Sequence, residues 1–165
     1  MIIFNCEQNA KGEFEIGAIE SIVIPSEING SIITHIASNA FRHNIDLKNV
    51  EISKGIVGIG SSAFYGCINL KSIIIPNTIK YIGADAFGDC SSLTGIIIPD
   101  GVIEIGSYAF SYCTDLKKIE IPENVEYIGS NAFRDCNENL TIYGYEGSFA
   151  EKYADKWHIK FKKLT

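Results

Sequence analysis

The pair Ala-Phe recurs along this chain at a fixed step of 23 residues, at Ala40-Phe41, Ala63-Phe64, Ala86-Phe87, Ala109-Phe110 and Ala132-Phe133. A fixed period of about 20–50 residues marks an array of stacked supersecondary units, because one such unit cannot bury its own apolar face. The period therefore restricts the chain to a solenoid. Other columns keep the same step. Cys67, Cys90, Cys113 and Cys136 follow each Phe by three residues, with Asn44 in the first unit. Ile36, Ile59, Ile82, Ile105 and Ile128 precede the Ala-Phe pairs, and Gly60, Gly83, Gly106 and Gly129 follow the last four of these, with Ala37 in the first unit.

Each unit divides into two halves. Leu70, Ile73 and Ile75 open the first half in one unit, Leu93, Ile96 and Ile98 in the next, and Leu116, Ile119 and Ile121 after that. Ile residues two apart share one face of a strand, so Ile73 and Ile75 point inward and Ile74 points out. Pro76, Pro99 and Pro122 then end the strands, since proline lacks the N–H that a ladder needs. Strands this far apart in sequence are joined by crossovers and run parallel. The second half is short of any helical pattern, so short turns or 3₁₀ pieces are expected there. Gly83 allows a tight bend or a close backbone approach. The unit between Pro25 and Ala40 is five residues longer than the others, and its extra sequence, Glu27-Ile28-Asn29-Gly30, predicts a protruding turn.

The spacing Leu70-x-x-Ile73-x-Ile75-Pro76, then Ile79-x-x-Ile82-Gly83-x-x-Ala86-Phe87-x-x-Cys90, resembles the BspA-like (Treponema-type) leucine-rich repeat. The resemblance covers about residues 16–145. It implies a mostly-β, α/β-type solenoid: a right-handed leucine-rich repeat superhelix with a parallel sheet. It also implies a bacterial or protozoan surface or secreted protein, often an adhesin for host proteins.

Open-ended arrays need caps. Ile2, Phe4 and Cys6, the turn Asn9-Ala10-Lys11-Gly12, and then Phe14 and Ile16 read as an N-terminal β-hairpin over 1–17. Ser148-x-x-Glu151 is a capping box, and Phe149, Ala150, Tyr153, Ala154 and Trp157 fall on one helical face, predicting a C-terminal helix cap within 146–165. Ile159-Lys160-Phe161 is expected to run extended after it. The repeats fill 18–145, and the 165 residues are read as one domain. Lys160, Lys162 and Lys163 read as a solvated tail.

A net charge of −6 with no Lys/Arg run argues against nucleic acid. Met1–Glu7 has no basic segment and too short an apolar run for a signal peptide, so residues alone favour the cytoplasm where the resemblance favours the surface. The cysteines have no Cys-x-x-Cys spacing. Side chains in one ladder column point the same way, so buried, reduced thiols are expected rather than disulfides or a metal site. Gly58-x-Gly60-x-x-Ala63 matches a dinucleotide-binding pattern, but no long helix follows to receive a pyrophosphate. His35, His43 and His158 share no spacing. No combination of acid, base and nucleophile stands out, so neither catalytic residues nor a cofactor is assigned.

The outward column of the sheet carries the interest. By register it contains Val23, Glu51, Ile74, Ile97, Glu120 and Thr141, flanked by Lys71 and Lys117. Ile74 and Ile97 form an apolar centre, with Glu51, Glu120, Lys71 and Lys117 as a charged rim, which is how a protein contact looks. Strand propensity alone also places Ile on a sheet, and both readings stand at this stage. The function expected is a non-catalytic, protein-binding module. The alternative is a structural spacer in a larger protein.

Overall fold

The structure, a computed structural model, describes residues 20–164 and, ahead of them, the backbone strands Cys6–Gln8 and Phe14–Ile16. Those two strands pair antiparallel, Cys6 opposite Ile16, which gives the front hairpin its strands. The reading of Met1–Asn5 and the turn Asn9–Gly12 lie outside the described residues.

The main face is built from parallel strands in the expected step. Ser21–Ile24, Asn49–Ile52 and Ser72–Ile74 form one ladder, with Val50 opposite Ile73 and Glu51 opposite Ile74. Gly95–Ile97, Lys118–Glu120 and Thr141–Gly144 form another, with Ile96, Ile119 and Ile142 in register. Val50, Ile96, Ile119 and Ile142 point into the core and are buried, as alternation along a strand requires. The Ser72–Ile74 and Gly95–Ile97 strands are neighbours, yet no ladder joins them, so the face is two sheets side by side.

The second half of each unit holds the short turns expected, such as those closed by backbone bonds from Ala63 to Gly60 and from Cys67 to Phe64, and adds an element not foreseen. Two-residue strands form a second parallel ladder: His35–Ile36, Gly58–Ile59, Tyr81–Ile82, Glu104–Ile105 and Tyr127–Ile128. The Ile of each rung is buried and the residue before it faces away. Hydrogen bonding to the next coil favours this over a local helix, because each rung has a backbone partner one repeat away. The remaining turns are shaped by two columns of left-handed backbone. One holds Asn39, Ser62, Asp85, Tyr108 and Asn131; the other holds His43, Gly66, Asp89, Tyr112 and Asp135. Asn, Asp and Gly suit that region, whereas Tyr108 and Tyr112 adopt it against their own preference.

The core is a set of continuous columns. The rings of Phe41, Phe64, Phe87, Phe110 and Phe133 stack with centroids 5.1–5.6 Å apart and nearly parallel planes. The cysteine column runs beside them. Each thiol donates to the carbonyl of the Phe one repeat back: Cys67 to Phe41 at 3.1 Å, Cys90 to Phe64 at 3.3 Å, Cys113 to Phe87 at 3.2 Å and Cys136 to Phe110 at 3.0 Å. Burial pushes the thiols up, Cys67 to about 11 and Cys136 to about 12, with Cys90 and Cys113 also raised. All four are free. Three are buried and Cys136 is half-buried. The glycine column exists for close approach. A Cβ on Gly83 would sit 2.6 Å from the Ser61 nitrogen, and one on Gly106 would sit 2.5 Å from the Ala84 nitrogen.

The long unit ends in a small hairpin. Glu27–Ile28 pairs with Ser31–Ile32 across Asn29 and Gly30, both at positive φ (51° and 79°), as a type I′ turn demands. At the other end, the Phe149–Trp157 helix is capped by Ser148, whose Oγ accepts from the Glu151 N–H, while the Glu151 carboxylate accepts from the Gly147 N–H. Ala150, Tyr153 and Ala154 bury against the last repeat, where Tyr153 meets Phe133 edge-on at 5.6 Å. The lysine-rich end is not a loose tail. Lys160–Lys163 pairs parallel with Thr141–Gly144 and adds a strand to the sheet, because Phe161 aligns with Ile142 and packs against the core. Its lysines still face outward.

Candidate interaction surfaces

The outward column of the main face is Val23, Glu51 and Ile74 on one sheet and Ile97, Glu120, Tyr143 and Lys162 on the other. The sequence placement of Thr141 in this column is corrected. Thr141 aligns with Lys118, and Tyr143 takes the position opposite Glu120. The strand starts in register with its neighbour, Thr141 beside Lys118, so the step of 23 from Glu120 leads to Tyr143 and not to Thr141. Thr141 is buried between Lys118 and Lys160, whose aliphatic stems flank it.

Ile74 and Ile97 are 61% and 62% exposed and sit at matching positions on neighbouring strands. Val23, 60% exposed, lies two rungs from Ile74 beyond Glu51. The structure thus places the apolar pair where the sequence put it. Glu51, Lys71 and Lys117 are exposed around it. Glu120 is half-buried, with Lys118 at 3.9 Å. Lys162 lies over the Tyr143 ring, 5.7 Å from its centroid, which extends the rim with a cation.

A second outward column is polar and locked. Asn49 donates to Ser21 Oγ at 3.0 Å, and Ser72 donates to Asn49 Oδ1 at 2.8 Å. This chain of side chains stops at Gly95, the next position along. The stop falls at the interruption between the two sheets, so the apolar pair straddles the one rung of the face that lacks a ladder.

The other candidates separate. His35 packs over Gly58 on the second ladder, while His43 packs over Gly66 and meets Tyr65 edge-on at 5.4 Å. Gly58 and Gly60 belong to that packing and to the coil contact, not to a phosphate loop: a Cβ on Gly60 would meet the Ser38 nitrogen at 2.5 Å. Among the described residues, no group of three or more His, Cys, Asp or Glu is placed to hold a metal ion. No helix described is long and apolar enough to cross a membrane. Sequence reasoning missed Tyr143 and Lys162 as members of the face. For Tyr143 the signal was available in the Ile119-to-Ile142 step, the same 23 residues as the rest of the array; Lys162 follows at a shorter step, on the strand after the cap helix.

Comparison with known proteins fits this geometry. The BspA type leucine rich repeat region matches residues 7–141 in 6 copies. The crystal structure of the T. pallidum leucine-rich repeat protein is similar, at 32% identity and a TM-score of 0.74, over 85% of this chain and 68% of that one. A leucine-rich repeat protein from Bacteroides ovatus is similar at 30% identity and a TM-score of 0.68, over 88% of this chain and 42% of that one. A leucine rich cell surface protein from Faecalibacterium prausnitzii is 25% identical with a TM-score of 0.53, over 84% of this chain and 52% of that one. No curated protein sequence matches the chain.

Proposed function

The chain belongs to the BspA-type leucine-rich repeat family, and from that premise we propose that it is a non-catalytic protein-binding module of the cell-surface, adhesin-like kind, using its open sheet face. The observation that carries this reading is the exposed pair Ile74 and Ile97, adjacent on the face and set among the charged side chains of Glu51, Lys71, Lys117 and Glu120. Contiguous apolar surface on a folded protein marks a contact, whereas single exposed residues do not. The partner is a protein that seats an apolar side chain between the two isoleucines and presents opposite charges to Glu51 and Glu120 and to Lys71 and Lys117. Two side chains make a small patch, so the contact is of the weak, transient class. The likeness to a cell surface protein of Faecalibacterium prausnitzii supports display outside the cell.

The test is the double substitution Ile74→Asp with Ile97→Asp, compared with the wild type in pull-downs from host-cell extract. A protein retained by the wild type and lost from the double variant supports the reading. Full retention by a folded double variant overturns it, moves the contact to the hairpin around Asn29 or to the tyrosine-bearing side, and leaves the spacer role if no protein is retained at all.

A further inference from the structure

We infer that the hollow between the last repeat and the cap helix binds a single carboxylated sugar residue, a site separate from the sheet face. The cavity holds about 230 Å³ and is lined by Tyr127, Ser130, Phe149, Lys152, Lys156 and Trp157. Ligand pockets for drug-sized molecules begin at roughly 300 Å³, so this one accepts one ring-sized group. Four aromatic side chains, Tyr127, Phe149, Tyr153 and Trp157, supply its walls. Tyr127 and Phe149 lie 6.2 Å apart, centroid to centroid, and Tyr127 and Trp157 are 47% and 40% exposed. Tyr127 shares its outward setting with Tyr81 along the second ladder, 50% exposed, but only Tyr127 has the cap helix beside it to close a hollow.

The chemistry of the walls is two-sided. Aromatic faces are negative and attract the weakly positive C–H face of a sugar ring. Lys152 and Lys156 stand one helical turn apart on the same side. Such a like-charged pair is unfavourable on its own, and neither ammonium is in an ion pair among the described residues. Lys156 instead lies over the Trp157 ring, 5.7 Å from its centroid. In a chain of net charge −6, two unpaired cations around an aromatic hollow fit an anion that also carries a C–H face. A carboxylate on a sugar satisfies both, and a charge-assisted bond to lysine adds orientation. Glu104 is the next outward residue along the second ladder from Tyr127 and is exposed. It repels an anionic chain running toward Tyr81, which limits the site to one terminal residue.

Trp157 is the only tryptophan, so its emission reports the hollow directly. The full chain is titrated with D-glucuronate, with D-glucose, and with acetate at matched ionic strength. The expected result is a saturable change with glucuronate, with Kd on the order of 1–10 mM, at least ~10-fold weaker binding of glucose, and no saturation with acetate. Lys152→Gln with Lys156→Gln should bring glucuronate down to the glucose value while leaving the thermal unfolding curve in place. Tyr127→Ala should weaken both sugars. The inference is overturned by no saturation with glucuronate, by an equal response to acetate, or by an unchanged preference in the double lysine variant. Saturation by a poly-glutamate peptide without any sugar response also overturns it and gives the hollow to an acidic protein segment. Ile74→Asp with Ile97→Asp should leave every one of these titrations unchanged, so this site and the sheet face fail or stand independently.

Discussion

The Phe and Cys columns and the open sheet face are built from the same repeat, yet they behave as opposites. In the corner the rungs agree: stacked rings about 5 Å apart, and one thiol-to-carbonyl bond in every unit after the first, where Asn44 stands in the cysteine position. On the face no two neighbouring rungs carry the same outward chemistry except Ile74 and Ile97; the column reads Val, Glu, Ile, Ile, Glu, Tyr, Lys. Stacking rewards sameness, since each side chain must fit its own copy in the coil above and below. A face turned to solvent carries no such demand and is free to vary. In this array, structure is written where the units agree, and the proposed recognition falls where they disagree.

Disturbing the corner should have the largest effect. Phe87→Ala removes a ring held between Phe64 and Phe110 and should cost ~3–5 kcal/mol in denaturant unfolding; a loss under about 1 kcal/mol would mean the stack does not carry the fold. Next comes coil spacing. Gly106→Ala places a methyl 2.5 Å from the Ala84 nitrogen, and the forced separation should cost ~1–3 kcal/mol. A thermal melt no lower than the wild type would show that the coils have room.

The thiol column adds a pH signature. Cys67 is raised from 9.0 to about 11 by burial, so between these values the native state keeps a proton that the unfolded chain has lost. Its contribution is fully present below pH 9 and is lost as pH rises through about 11. Urea midpoints measured from pH 7 to 11 should fall over that window, and Cys67→Ala should flatten the fall. Identical pH profiles for the two proteins would remove the thiol from the account. The smallest change per residue is on the face: Ile74→Asp with Ile97→Asp should together cost ~2 kcal/mol or less, about the span of strand preferences at each position, in the same unfolding assay. A loss as large as that of Phe87→Ala would erase the contrast between corner and face.

The agreement columns were legible because they repeat. Phe87, Cys90, Gly83 and the Ile of each strand declare their burial by recurring every 23 residues. The second ladder was not legible, since a strand of two residues, such as Tyr81–Ile82, is too short to show alternation. The left-handed columns were half visible: Asn39, Asp85 and Asn131 are expected there, but Ser62 and Tyr108 hide the pattern. Ile74 and Ile97 were readable from register alone. The cap hollow was not, because Tyr127 and Trp157 meet only once the helix folds back on the last repeat. The missing ladder between Ser72–Ile74 and Gly95–Ile97 left one trace in residue type, Gly95 in the place of Asn49 and Ser72, too slight to read without the structure because the inward pattern of both strands is complete.

That gap gives the array a mechanical character. On the far side, the second ladder runs unbroken from Ile36 to Ile128, and the Phe stack passes the same point without a fault. The coils are therefore fastened along one edge and loose at a single place along the other, like a book bound at the spine and open at one page. A bend in the array would open most readily at that page, and the two isoleucines are printed on its facing leaves. On the proposed reading, a partner seated between them would touch both halves of the solenoid at once, and its grip would set the angle between them.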